Sequence, residues 1–246
     1  MASSPILDGL LTAGGPLRLI EEGIWSVMPA DTVSQPYDGR ARLYDRLIGS
    51  RIYNRLAWGT SPASYTAFAR KAAQSGTGAL LDAGCGTLVS TAAVHAGASR
   101  PTILVDLSTD MLRAARNRLV ALAGRVPEQV VLVQADLTAL PFRDGAFGSV
   151  LCPGMLHLFE DVEAITLELA RVADPAACLF ATSLVAERWL GKRYLSALHR
   201  AGEVAHPRRF AELTSRLNGP ASGLETPIDA RLAGSMAFLT ARRARV

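Results

Sequence analysis

The residues from Leu81 to Thr87 read LDAGCGT, in which an acid precedes two glycines that are two positions apart. Gly84 and Gly86 follow a short apolar run of strand length. Glycines at such a place let the backbone approach a ligand, and the helix that follows presents free N–H groups. In an open parallel sheet, ligands bind at the carboxyl ends of strands where the strand order reverses. We therefore expect a cofactor loop at this point of the chain.

The residues around the glycines argue against a pyrophosphate-binding loop. The dinucleotide fingerprint G-x-G-x-x-G, counted from Gly84, requires a glycine at position 89, which is Val89. Asp82 would repel a dianionic pyrophosphate and attract a cationic ligand. S-adenosylmethionine carries an ammonium and a sulfonium group, so it suits Asp82 better. A second acid, Asp106, ends the next apolar run, where a carboxylate can accept both ribose hydroxyls of either cofactor.

The elements that must position these residues alternate along the chain. Five short apolar runs bounded by turn residues predict strands at 79–83, 102–106, 130–134, 147–152 and 178–184. Between them, residues 88–97, 108–122 and 161–173 have the apolar spacing of helices. This alternation predicts an α/β fold with a Rossmann-like, doubly wound, mostly parallel sheet. The runs IDARLAG and SMAFLTARR predict an antiparallel C-terminal hairpin, which brings the sheet to seven strands.

The length of 246 residues predicts a single domain spanning residues 1–246. Within it we expect a helical N-terminal cap segment (1–75), a cofactor-binding core (78–184), a helical lid (185–217) and the hairpin (222–246). One or two amphipathic helices are expected within residues 5–28, because charged residues interrupt its apolar runs well before the length of a membrane span. The cap and lid should cover the carboxyl edge of the sheet.

Composition and charge exclude several classes of protein. The net charge of +4 comes from scattered arginines, so we expect no nucleic-acid partner. We expect no membrane partner either, because no basic polar face accompanies the apolar runs of residues 5–28. The three cysteines, Cys85, Cys152 and Cys178, are far apart and odd in number, which indicates neither disulfides nor a metal site. We expect a cytoplasmic protein. Oligomeric state is not encoded in any pattern of the sequence.

Four stretches of the chain together resemble class I S-adenosylmethionine-dependent methyltransferases, particularly the small-molecule branch that includes quinone-biosynthesis methyltransferases. They are LLDAGCGT, ILVDLSTDML, VQADLTALPFRDGAFGSVLCPGMLHLFED and FLTARR. The resemblance implies methyl transfer from S-adenosylmethionine to a small molecule, with S-adenosylhomocysteine as product. The loop after the fourth strand lacks the Asn or Asp, paired prolines and aromatic that are typical of nucleobase-amine methyltransferases. Its apolar sequence CPGMLHLF indicates an apolar or aromatic acceptor.

The resemblance also implies roles for individual residues. The loop from Asp82 to Thr87 would wrap the methionyl part, Asp106 would bind the ribose and Leu107 would lie beside the adenine. Asp136 would accept a hydrogen bond from the adenine amino group, unless it only caps its own loop as an Asx turn. The complete expected cofactor-binding set is Tyr44, Trp58, Asp82, Ala83, Gly84, Cys85, Gly86, Thr87, Asp106, Leu107, Met111, Ala135, Asp136, Leu137, Cys152 and Pro153, with Tyr53 as a further aromatic candidate.

Two positions leave alternatives open. Leu88 replaces the third glycine that is usual in the family; we expect its side chain to turn away and pack the helix on the sheet, the alternative being an altered cofactor pose. His157 is the expected catalytic base, because it is the titratable residue of its loop suited to proton transfer near neutral pH. The alternative is a structural histidine bonded to backbone. His199 and His206, in the expected lid, are further candidates for the base.

Other functions are compatible with the same fold. A protein of this type could bind S-adenosylmethionine and catalyse a cyclisation or rearrangement, or it could serve as a cofactor-bound scaffold for another enzyme. A macromolecular acceptor would require an open, charged groove instead of an apolar cap. The apolar loop after the fourth strand argues against such a groove.

Overall fold

The structure is a computed structural model that describes residues 4–12, 17–29 and 59–244. Three expected cofactor contacts, Tyr44, Tyr53 and Trp58, lie outside these residues. The described strands are β1 (Arg18–Glu21), β2 (Ile24–Ser26), β3 (Ala79–Ala83), β4 (Thr102–Asp106), β5 (Val130–Gln134), β6 (Phe147–Cys152), β7 (Ala173–Leu184), β8 (Asp229–Ala233) and β9 (Met236–Arg242).

The helices lie between these strands as the alternation predicts. They are α1 (Pro5–Asp8), α2 (Pro62–Gln74), α3 (Ala92–Ala96), α4 (Thr109–Ala123), α5 (Val162–Val172), α6 (Trp189–Arg200) and α7 (Phe210–Leu217), with 3-10 turns at Leu156–Leu158 and Pro220–Ser222. Capping residues fix two of the starts. The Ser108 side chain accepts from the Met111 N–H, and the Asp161 side chain accepts from the Ala164 N–H.

All nine described strands form one sheet, in the order β1-β2-β5-β4-β3-β6-β7-β9-β8. The strands from β2 to β7 are parallel neighbours, and β1, β9 and β8 are added antiparallel at the two sides. The chain moves from β3 to β4 and β5 on one side and later to β6 and β7 on the other. The strand order therefore reverses at β3, and the carboxyl end of β3 is where a ligand site is expected.

Helices cover both faces of the sheet. Leu81 and Ala83 of β3 face a core that includes Ile165 and Leu169 of α5. On the opposite face, Leu80 packs with Phe68 and Ala72 of α2, while Leu104 of β4 packs with Leu112, Ala115 and Leu119 of α4. Burial on both faces accounts for the nearly continuous apolar runs of these strands. Side chains alternate along a strand, so Asp82 points to the same face as Leu80 and away from the face of Ala83. The face of Asp82 is the one covered by α2, α3 and α4.

The fold class predicted from the sequence is confirmed, with two corrections. The sheet has nine strands rather than seven, because residues 18–26 form a β-hairpin instead of the expected amphipathic helix. Gly23 adopts φ +74°, which makes the tight turn between β1 and β2 accessible. Ile24 then pairs with Leu132 of β5 and is fully buried. In the described part of the chain, no helix is long and apolar enough to cross a membrane.

Candidate functional site

The glycine loop leaves β3 and crosses the end of the neighbouring strand β4. Gly84 adopts φ +78° and Gly86 φ +55°, a region of backbone conformation that favours glycine. The N–H groups of Gly84 and Cys85 both donate to the Val105 carbonyl, at 2.8 and 2.9 Å. The loop is therefore held at the carboxyl edge by the backbone of β4, at the reversal point of the sheet.

Asp106 joins this loop to the start of α4. One carboxylate oxygen accepts from the Gly86 N–H and the other from the Ser108 N–H, each at 2.9 Å. Burial raises the pKa of Asp106 to about 6, and the charge of Asp82 adds to this rise, while the bonds from Ser108 and Gly86 oppose it. Each carboxylate oxygen has a further lone pair, so Asp106 can still accept the ribose hydroxyls that the sequence predicts for it.

Asp82 makes a contact that the sequence did not suggest. Its Oδ2 lies 2.6 Å from Nε2 of His95 on α3, and both side chains are completely buried. In the part of the chain that the structure describes, Asp82 Oδ1 and His95 Nδ1 have no hydrogen-bond partner. The acid that precedes the glycines is thus held by a histidine, and its second oxygen is buried without a hydrogen bond. A buried acceptor without a hydrogen bond is compatible with the cationic group that the sequence predicts to bind beside Asp82.

Leu88 adopts φ +58° and is the only residue other than glycine with a positive φ among the described residues. A glycine at this place would adopt that conformation without strain, which explains why the third glycine is usual in the family. The Leu88 side chain is buried with Cys85, Ala92, Leu104 and Leu112. It therefore turns away from the loop and packs α3 and α4 on the sheet, as expected, at the cost of a strained backbone.

The loop after β6 lies against the glycine loop. A Cβ atom built on Gly84 would lie 2.4 Å from Met155 Cγ and 2.5 Å from its Sδ, so the Met155 side chain covers the open face of this glycine. The Gly154 N–H donates to Thr182 Oγ1 at 2.6 Å, which ties the loop to β7. Cys152 ends β6 and is buried, and burial raises its pKa, as it does for Cys85. Both thiols remain protonated and are poor nucleophiles.

The adenine side of the expected site is formed by residues 134–137 after β5. Asp136 Oδ1 accepts from both the N–H and the hydroxyl of Thr138, each at 2.8 Å, which is the Asx turn that the sequence left as an alternative. Ala135 and Leu137 are buried, as is Met111 in the first turn of α4. Among the described residues of the expected set, the structure therefore places 82–87, 106, 107, 111, 135–137, 152 and 153 along one edge.

Sequence reasoning missed Ser26 and Gln134, which support this edge. The Ser26 hydroxyl donates to Gln134 Oε1 at 2.8 Å, and Gln134 Nε2 donates to the Leu107 carbonyl at 3.1 Å. They connect β2, β5 and the residue expected beside the adenine. Ser26 lies in the segment for which a helix was predicted, so no sequence signal indicated this contact.

His157 lies in the 3-10 turn Leu156–Leu158, and its Nδ1 accepts a long hydrogen bond, 3.5 Å, from the Leu184 N–H. Burial lowers the pKa of His157 to about 4, and the charge of Arg208 lowers it further. The imidazole is therefore neutral at neutral pH and bonded to backbone, as in the structural alternative. His199 and His206 contact one another edge to face, with ring centroids 5.5 Å apart. Among the described residues, no hydrogen bond joins His157, His199 or His206 to Asp106 or to the glycine loop.

The site residues lack the composition of a metal centre. Across the described ranges, no group of three or more His, Cys, Asp or Glu side chains could hold a metal ion. The three cysteines are free thiols.

Comparison with known proteins agrees with this geometry. A family profile described as a methyltransferase domain matches residues 81–181. Malonyl-[acyl-carrier protein] O-methyltransferase of Legionella pneumophila is 27% identical over 188 residues, which cover 74% of this chain and 59% of that protein. An uncharacterised chloroplast methyltransferase of Arabidopsis thaliana is 30% identical over 111 residues, covering 44% of this chain and 31% of that one. The chain thus spans less than two thirds of these curated relatives.

Solved structures share the fold at low identity. Geranyl diphosphate C-methyltransferase from Streptomyces coelicolor, in complex with Mg²⁺, geranyl diphosphate and S-adenosyl-L-homocysteine, has a TM-score of 0.59 at 14% identity, covering 74% of this chain and 77% of that one. The [4+2]-cyclase SpnF has a TM-score of 0.61 at 16% identity, covering 87% and 98%. Identities this low show the fold alone. The match of residues 81–181 to the methyltransferase domain profile identifies a methyltransferase domain in this part of the chain.

Proposed function

We propose that this protein binds S-adenosylmethionine and transfers its methyl group to a small, apolar or aromatic molecule. The observation that carries the proposal is the unit formed by the glycine loop and Asp106, in which the carboxylate accepts from Gly86 and Ser108 at the reversal point of the sheet. This unit places an acid, two glycines with positive φ and a helix start at one edge. Such an edge suits a nucleoside cofactor.

Individual residues fit the parts of the cofactor. Asp106 would accept from the ribose hydroxyls, Leu107 would lie beside the adenine, and Asp136 would use its second oxygen for the adenine amino group. The loop from Asp82 to Thr87 would hold the methionyl part, where the acid Asp82 suits its ammonium. When bound, S-adenosylmethionine would supply an electrophilic methyl group on sulfonium. The chain would then contribute to catalysis by holding the acceptor in line with the methyl group and by excluding water.

The acceptor side is formed by the loop after β6. Leu156 is buried there, and Met155 and Phe159 pack on the core while keeping part of their surface. These side chains support an apolar acceptor. The acceptors named for similar proteins, a malonyl group on a carrier protein and geranyl diphosphate, differ from one another, so they do not identify the acceptor of this chain.

A non-methylating enzyme is the second candidate. The cyclase SpnF shares the fold, but at 16% identity this likeness does not favour cyclisation over methyl transfer. A cofactor-bound scaffold is likewise not supported by any feature of the site.

The proposal extends to the organisation and location of the protein. We propose a single domain in which residues 185–217 and the N-terminal segment cover the carboxyl edge. A reducing, cytoplasmic location is supported by the three free cysteines.

Methyl transfer itself is tested by mass spectrometry. The protein is incubated with S-adenosylmethionine and a panel of phenols, carboxylic acids, acyl thioesters and isoprenoid diphosphates, and S-adenosylhomocysteine and singly methylated products are measured. We expect one class to gain a methyl group at a rate that Asp106→Ala abolishes and that Asp110→Asn, a matched change in the first turn of α4, preserves. A cofactor that stays intact while an acceptor is rearranged would support the cyclase candidate instead.

A further inference from the structure

Three polar side chains lie in one row across neighbouring strands at the carboxyl edge of the sheet. Ser26 of β2 pairs with Gln134 of β5, and Gln134 pairs with Asp106 of β4. These strands are parallel, so side chains at paired positions point to the same face. The polar row forms the boundary between the cofactor edge and the apolar core. On the same face, the row two positions earlier is fully buried and consists of Ile24, Leu132 and Leu104.

Hydrogen bonds run along this row in one direction. The Met28 N–H donates to Ser26 Oγ at 3.1 Å, and the Ser26 hydroxyl donates to Gln134 Oε1 at 2.8 Å. The Gln134 amide then donates through Nε2 to the Leu107 carbonyl at 3.1 Å. Because Ser26 Oγ accepts from Met28, its own proton points to Gln134, and the amide oxygen of Gln134 faces β2. The amide nitrogen of Gln134 is thereby directed to Leu107.

Burial makes the orientation of the Gln134 amide depend on Ser26. The exposed fraction is 1% for Ser26 and 9% for Gln134. A buried hydroxyl or amide costs free energy unless its hydrogen bonds are made. Removal of the Ser26 hydroxyl takes from Gln134 Oε1 the donor that the structure gives it, so the amide turns or shifts toward another donor. Either movement withdraws Nε2 from the Leu107 carbonyl.

The Leu107 peptide is the point at which this row reaches the expected adenosine site. Leu107 lies between Asp106, which would accept from the ribose hydroxyls, and Ser108, which caps α4. The Ala135 N–H donates to the Asp106 carbonyl at 3.2 Å, so the loop after β5 is joined to the same place. A shift of the Leu107 peptide therefore changes both the adenine side and the ribose side of the edge.

We infer that Ser26 is a positioning residue for the adenosine part of the cofactor and acts through Gln134 on the Leu107 peptide. The inference rests on the proposed function, because it needs S-adenosylmethionine at this edge. Ser26 lies in the hairpin of β1 and β2, outside residues 81–181 that match the methyltransferase domain profile. The hairpin is thereby assigned a role in cofactor binding that the matched domain does not contain.

The experiment measures the affinity for S-adenosylhomocysteine by calorimetric titration and the urea midpoint of unfolding in the same variants. We expect Ser26→Ala to bind about fivefold more weakly, which is the effect of losing one hydrogen bond. Ser149→Ala is the matched control, because Ser149 of β6 is also buried and its hydroxyl donates to the Ala72 carbonyl at 2.8 Å, beyond β3 from the polar row. This control should lower the midpoint to a similar extent and bind as wild type.

A double-mutant cycle tests whether Ser26 acts through Gln134. Gln134→Leu should weaken binding at least as much as Ser26→Ala, and the double variant should bind no more weakly than Gln134→Leu alone. Additive losses would overturn the inference and leave the cofactor site intact. So would wild-type affinity in Ser26→Ala with the midpoint lowered as in Ser149→Ala. Absence of binding by folded wild type would instead overturn the proposed function.

Amide hydrogen exchange in wild type provides the test if Ser26→Ala does not fold. Coupling is reciprocal, so S-adenosylhomocysteine should slow exchange of the Met28 N–H, which lies at the far end of the hydrogen-bonded row. The Thr12 N–H, which donates to the Pro141 carbonyl at 2.9 Å, is the control from the same N-terminal part of the chain and should be unaffected. Unchanged exchange of Met28, or equal slowing of both amides, would refute the inference.

Discussion

The Gly86 N–H donates to the Asp106 carboxylate across 2.9 Å, while the second oxygen of the same carboxylate accepts from Ser108. The glycine loop after β3 and the acid at the end of β4 are therefore one hydrogen-bonded unit. A ligand that binds either part meets both. This coupling makes the chemistry of the cofactor edge sensitive to the protonation state of one side chain.

The first prediction concerns pH and cofactor affinity. Burial raises the pKa of Asp106 to about 6, and ribose hydroxyls require the ionised carboxylate as acceptor. Protonation therefore competes with binding, and affinity should fall by up to about tenfold per pH unit below about pH 6. Calorimetric titration against pH measures this.

Asp106→Asn provides the control for this prediction. The variant should bind weakly at every pH and lose the step near pH 6, since its side chain does not ionise. A step that survives in Asp106→Asn would assign the titration to another group.

The second prediction separates backbone strain from packing at Leu88. Leu88→Ala should be destabilised by about 2–4 kcal/mol, because a buried side chain is removed while the positive φ remains. Leu88→Gly loses the same packing but relieves the strain, so it should be more stable than Leu88→Ala by about 1 kcal/mol. Urea unfolding compares the two. If Leu88→Ala were more stable than Leu88→Gly, as at ordinary helix positions, the result would contradict backbone strain at residue 88.

The third prediction tests the contact between Gly84 and Met155. In Gly84→Ala, the new Cβ would approach Met155 Cγ to 2.4 Å at a backbone φ of +78°, so the variant should lose about 2–3 kcal/mol of stability. Met155→Ala should restore only the part due to the clash, because the backbone strain remains. A double-mutant cycle of unfolding free energies measures the coupling. Additive effects would show that the two side chains do not meet.

The fourth prediction concerns acid stability. His157 has a pKa lowered to about 4 in the folded protein, against an ordinary value of about 6.5 in the unfolded chain. The unfolded chain therefore binds a proton first, and the folded state loses stability as pH falls from about 6.5 to about 4, by up to about 3 kcal/mol. Unfolding free energies at a series of pH values should show this loss in wild type.

His157→Gln should remove this part of the pH dependence, since glutamine does not titrate in the range. His199→Gln, a change on the exposed face of α6, should retain it. A wild-type profile that matches that of His157→Gln would mean that His157 titrates normally in the folded protein.

The parallel strands could be predicted because their burial is reflected directly in their amino-acid sequence. Residues 79–83, 102–106, 130–134 and 147–152 agree with the observed bounds, since strands covered on both faces read as continuous apolar runs. The hairpin at residues 18–26 was not predictable in this way. Its strands are four and three residues long, and β2 is stabilised by pairing Ile24 with Leu132, far along the chain.

The residues of the candidate site also divide into those that could be predicted from the sequence and those that could not. The glycines and Asp106 could be identified because their roles depend on backbone positions that a motif specifies. The partner of Asp82 could not, because the contact with His95 depends on how α3 is rotated on the sheet. The predicted helix at 88–97 also begins at residue 92 in the structure, since the backbone at Leu88 is left-handed. That shift fixes which face of α3 meets β3.

The most direct test of the central claim is calorimetric titration of the purified protein with S-adenosylmethionine and with S-adenosylhomocysteine, alongside Asp106→Ala and the control Asp110→Asn. We expect saturable binding of both ligands by wild type and by Asp110→Asn, and its loss in Asp106→Ala with the fold preserved. Absence of binding by folded wild type, or equal binding by Asp106→Ala, would contradict the assignment of the glycine loop and Asp106 as a cofactor site.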